Sequence, residues 1–187
     1  MEILYTIKDF FNANFIRFGF VIVFFIYLLS LVPQLSSRLA LQFMRWLILG
    51  NVIYSWVSYI VLYFFGEELF SFERATGPYA PMYFVMLFCS LVVPLILFIP
   101  SLGKKTGVLF LISLLSNLGF WMERLVIITT SIHRDYLPSG NTNEIDFFVE
   151  AQALVLVHCL TIALIFVLLG TWIEKRNTQA LIQNTIS

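Results

Sequence analysis

Residues 81–99, PMYFVMLFCSLVVPLILFI, run from Pro81 to Ile99 without one charged side chain. A helix that faces water keeps a polar stripe, and this segment has none. Its length matches the roughly 20 residues that an α-helix needs to cross a hydrocarbon core about 30 Å thick. Pro81 suits the first turn of such a helix, where its missing N–H removes no bond. Pro94 lies inside the run and predicts a distortion that neighbouring helices must relieve.

Four further runs of the same kind flank it: Phe15–Val32, Leu39–Phe65, Thr106–Ser131 and Phe147–Ile173. Of the 187 residues 60% are apolar and 12% charged, with a mean hydropathy of +0.91. Soluble domains hold about 45–50% apolar and 25% charged residues. The fold class that follows is all-α: one polytopic membrane helix bundle over residues 1–187, with about five transmembrane helices at 15–32, 39–65, 81–99, 106–131 and 147–173.

The connectors carry the turn chemistry. Pro33 and Gln34–Arg38 close the first run, and Gly66-Glu67-Glu68 closes the second. Gly77-Pro78 marks a turn before the third, Pro100–Lys105 follows it, and Pro138-Ser139-Gly140-Asn141 sits in the most polar connector, His133–Asp146. Cytoplasmic loops carry the excess of Lys and Arg. Arg38, Lys104, Lys105, Lys175 and Arg176 fall on one side, against Lys8, Arg74 and Arg134 on the other. This predicts a cytoplasmic C-terminus and an N-terminus outside.

Eleven basic and eleven acidic residues leave no net charge to neutralise phosphates, so nucleic acid is not an expected partner. Cys89 and Cys159 lie in apolar runs without metal or redox spacing and read as small core residues. His133, in a connector, and His158, in a span, give no axial pair for a haem. The polar stretch Met1–Asn14 has no short apolar run ending in a cleavage site, and no signal peptide is expected.

Ionisable groups inside a span are costly and mark function by default. Glu123 and Arg124 lie about 12 Å below the end of the fourth span at 1.5 Å per residue. Adjacent residues point about 100° apart on a helix, so each needs a partner on another helix. The pair is either a packing ion pair or a functional one, its carboxylate taking and releasing protons or lining a quinone or ion path. His158, about 18 Å into the fifth span, is either a hydrogen-bonded packing residue or a proton relay. Glu150, two turns earlier on the same face, with Gln152 beside it, either meets interfacial water or extends a proton chain. Asn51 reads as interhelical glue, and Arg45 as a side chain that snorkels.

The run 117–139, NLGFWMERLVIITTSIHRDYLPS, closely resembles the end of the quinol-binding membrane subunit of bacterial alternative complex III. That subunit belongs to the family of polysulfide-reductase and nitrite-reductase membrane anchors. Gly77-Pro78-Tyr79-Ala80, Tyr83 and the Cys89 to Pro94 spacing resemble the same subunit, and looser similarity extends over most of the chain.

The resemblance implies the C-terminal half of a ten-helix protein in the bacterial cytoplasmic membrane. It implies quinol or menaquinol used at the level of a complex, with no cofactor bound by this chain. Haem c and iron–sulfur clusters would belong to partner subunits, beside a full-length or complementary subunit of the same family and the surrounding membrane lipid. Carried over are Glu123 and Arg124 for a proton path, and His133, Arg134 and Asp135 for contact with an outer-face subunit. The family's histidine and aspartate beside the quinone lie in the other half, and Ser58 stands where members tend to carry Glu or Gln. Two other classes stay open: a non-catalytic structural or assembly subunit, and a small transporter working as a homodimer.

Overall fold

The structure, a computed structural model, describes residue 6 and residues 9–65, 80–122 and 143–186. All described secondary structure is helical. A leading helix starts with a π-helical segment, Asn12–Ile16, and continues as Gly19–Leu29. A long helix spans Arg38–Phe65. A broken helix passes from α (Ala80–Leu87) to π (Phe88–Val92) to 3₁₀ (Val93–Phe98). One turn, Pro100–Gly103, leads to a short helix, Thr106–Ser116, and a terminal helix runs Asn143–Ile186.

Ala80–Phe98 and Gln152–Ala180 are long and apolar enough to cross a membrane. Asp9–Ile16 and Gly19–Leu29, bent by 43°, make a third crossing if the pair is one span. The long helix has the length for a span, but Arg38, Arg45 and Asn51 make it less apolar. The expected fourth span is described only as far as residue 122 and turns at Asn117, after the short helix.

Both ends of the leading and terminal helices differ from the sequence expectation, and the terminal helix starts at Asn143 rather than Phe147. The leading helix is helical from Asp9, six residues before the apolar run, because helicity does not require apolarity and Asn12 and Arg17 turn inward. It ends at Leu29, where the Ser30 hydroxyl donates to the Tyr27 carbonyl at 2.6 Å, so Val32 lies outside. The terminal helix continues past Ile173 to Ile186, since Glu174, Lys175 and Arg176 end an apolar stretch and are good helix formers.

The leading helix lies at the centre, packed on the short and terminal helices, and the terminal helix also packs on the long one. Ile22, Val23, Ile26, Met44, Leu49, Leu97, Leu109, Cys159, Ala163 and Val167 form the core, which confirms Cys159 as a core residue. Phe64 and Leu154 are 72% and 70% exposed, and most outward faces are apolar. Water would reject such a surface and lipid accepts it. Gly170 lets the terminal helix approach the start of the long helix, where a Cβ would stand 3.1 Å from that of Leu39. Beside it, the Thr171 hydroxyl accepts the Ser36 N–H at 3.0 Å and donates to the Val167 carbonyl at 2.8 Å.

The broken helix shows how its prolines are accommodated. In a 3₁₀ register a carbonyl accepts the N–H three residues on. Leu91 and Leu97 stand three residues before Pro94 and Pro100, which have no N–H to give. Both carbonyls are bonded from the long helix instead. The Trp56 indole N–H donates to Leu91 at 3.1 Å, and the Arg45 Nε–H donates to Leu97 at 2.8 Å. Arg45 also reaches the Phe98 carbonyl at 3.5 Å. Arg45 and Trp56 lie about three helical turns apart, and so share one face.

Arg45 therefore does not snorkel. It is 9% exposed, because its donors are needed inside. Gly103 completes the arrangement, since a Cβ there would stand 2.6 Å from the Leu97 oxygen and 2.8 Å from Arg45 Nε. Replacing Arg45 by Leu is expected to leave the Leu97 carbonyl unpaired, costing about 1–3 kcal/mol. Gly103→Ala is expected to destabilise the same contact by collision. Thermal unfolding in detergent checks both, and wild-type midpoints in the two variants would contradict the assignment.

Candidate functional site

Three helix interruptions meet around one cavity of about 360 Å³. The π-helical turn of the leading helix contributes Asn12, Ile16 and Arg17. That of the broken helix contributes Ser90 and Leu91, and the end of the short helix brings Ser116, Asn117 and Phe120. Opposite them, Asn51, Ser55 and Tyr59 follow at intervals of four along the long helix, so they share a face. Extra residues in a helical turn leave gaps that straight helices would close, and π segments recur at functional sites.

The polar groups around the cavity have distinct partners. Ser55, Ser90 and Ser116 donate their hydroxyl hydrogens back to the Asn51, Leu87 and Ile112 carbonyls at 2.9, 3.3 and 2.8 Å. Their oxygens retain lone pairs and no spare hydrogen. Asn117 is buried, and its amide nitrogen donates to the Ile16 and Ser113 carbonyls at 2.8 Å each. The Ile16 carbonyl sits where π geometry gives way to α, so Asn117 fastens the short helix to the break in the leading one.

Arg17 is the only charged residue lining the cavity among the described residues. Its guanidinium carbon lies 4.8 Å from the centre of the Phe120 ring, a cation–π distance. Sequence reasoning passed over Arg17 because it sits within the first apolar run. The available signal was an ionisable residue in that run, preceded by Asn12 and Asn14.

Of the residues singled out in the sequence, Glu123, Arg124, His133, Arg134 and Asp135 lie outside the described residues. Glu150 lies on the terminal helix, with its side chain outside the described set. Gln152 is exposed on that helix. His158 is exposed on the outward face, while Cys159 next to it is buried in the core. The cavity gathers neither His158 nor Gln152. Asn51 faces the cavity, and its side chain bonds no other helix among the described residues. Those residues contain no group of three or more His, Cys, Asp or Glu able to hold a metal.

No family model, curated protein or solved structure matches the chain.

The bond pattern separates two asparagines that look alike in sequence. Asn117→Leu is expected to strip the Ile16 carbonyl of its partner and cost about 1–3 kcal/mol. Asn51→Leu should change stability by no more than about 0.5 kcal/mol. Unfolding of both variants in detergent reads the difference, and an equal loss would make Asn51 a structural tie.

Proposed function

We propose that the chain is a membrane-embedded subunit of a quinol-oxidising respiratory complex, corresponding to the second half of a quinone-binding subunit of the alternative complex III type. The run 117–139 carries this reading, for its residue order closely resembles that family's motif. The motif begins at Asn117, and its residues Asn117 and Phe120 line the polar cavity.

A second observation supports a role within an assembly. An imidazole facing hydrocarbon inside a span is unfavourable unless another protein covers it. His158 faces outward from the early turns of the candidate span Gln152–Ala180. A neighbouring subunit on that face would give it partners. In this reading Glu123 and Arg124 serve a proton path, and His133, Arg134 and Asp135 meet the subunit that receives electrons. Quinol and the iron–sulfur and haem c centres supply the redox chemistry at the level of the complex.

One observation favours a non-catalytic variant of the same placement. Ser58, where the family tends to carry Glu or Gln, donates its hydroxyl to the Tyr54 carbonyl of its own helix at 2.9 Å. A serine committed in this way moves no proton.

Mild-detergent purification of the native assembly is expected to recover this chain with haem c and iron–sulfur absorbance, and absence of both would end the respiratory reading. Glu123→Gln should lower quinol-dependent electron transfer or its proton coupling while the assembly stays intact. Unchanged turnover and coupling in Glu123→Gln and His158→Ala, with loss of the complex on deletion of the chain, would instead establish the structural subunit.

A further inference from the structure

The cavity beside Arg17 has the donors and the charge of an anion site. Arg17 lies about 12 Å along the axis from Asp9, at the bend of a helix pair apolar enough to cross a membrane. A cation at that depth needs an opposite charge or strong acceptors. Among the described residues, none that lines the cavity is acidic.

Backbone geometry aims several donors at one place. Five residues apart on an α-helix, Asn12 and Arg17 would point about 140° from each other. Here the Arg17 N–H bonds the Asn12 carbonyl at 2.9 Å in π register, and both side chains line the same cavity. Asn51 faces them from the long helix. Among the described residues, the side-chain amides of Asn12 and Asn51 have no hydrogen-bond partner. The three serine hydrogens are already used on their own helices, whereas Arg17 and these two amides offer the cavity N–H donors.

Phe120 covers one face of the guanidinium, leaving its N–H edges, which match two oxygens of a carboxylate or phosphate. The volume of about 360 Å³ is within the range of small-ligand sites. We propose that this cavity binds a phosphate-type oxyanion through Arg17, Asn12 and Asn51, with the phosphate of an acidic membrane lipid as its source. The apolar outer faces of the helices put such lipids next to the bundle, whereas free phosphate must cross from water.

The test is native mass spectrometry of the full chain, in the assembly in which it is purified, with phosphatidylglycerol, phosphatidylcholine and inorganic phosphate as probes. Wild type is expected to retain phosphatidylglycerol at least tenfold better than Arg17→Gln and several-fold better than Asn51→Leu, with no such difference for phosphatidylcholine. Arg17→Lys should recover part of the binding. Displacement by millimolar inorganic phosphate would support the oxyanion site and assign it to the free anion. Should Arg17→Gln fail to fold, Asn51→Leu carries the same comparison. Equal retention by wild type and Asn51→Leu would overturn the proposal. So would binding that appears only after Glu123→Gln, because an internal carboxylate would then be the counter-charge.

Discussion

Every carbonyl at a helix break in apolar surroundings needs a donor, and in this bundle side chains from neighbouring helices supply it. Arg45 serves Leu97, Trp56 serves Leu91 and Asn117 serves Ile16. Without such donors each break would leave a polar group in hydrocarbon, at a cost of several kcal/mol. The long helix provides two of the three from one face. It acts as the brace of the fold, and the charge of Arg45 within it serves that task.

The same constraint creates the cavity. A break that is sealed on one side by a cross-helix bond leaves displaced turns on the other, and three such turns enclose a polar space. Asn12 and Arg17 meet there only because the leading helix is π-wound between them. Packing, capping and the candidate site are thus one arrangement. Gly103 and Gly170 permit the close approaches it needs, at Arg45 and at the start of the long helix respectively.

Much of the helical class was legible in the sequence, since unbroken apolar runs have few other stable forms. Pro94 announced the distortion of the broken helix, and Cys159 its place in the core. The fate of Arg45 was not legible. Snorkelling and carbonyl capping demand the same residue type, and the choice depends on a proline fifty-five residues away at Pro100. The continuation of the terminal helix beyond Ile173 was missed because apolarity marks where lipid ends, while helix propensity persists through Glu174 and Lys175. Arg17 was overlooked for the converse reason: a single charge does not end an apolar run. The motif around Glu123 lies largely outside the described residues, so among those residues its resemblance and the cavity meet at Asn117 and Phe120.

The brace depends most directly on the bond between Arg45 and the Leu97 carbonyl, three residues before Pro100. Isotope-edited infrared spectroscopy of the chain labelled ¹³C=¹⁸O at Leu97 observes that carbonyl directly. A guanidinium donor should shift its amide I band to lower frequency than in an Arg45→Leu sample. Identical bands in the two samples would contradict the account.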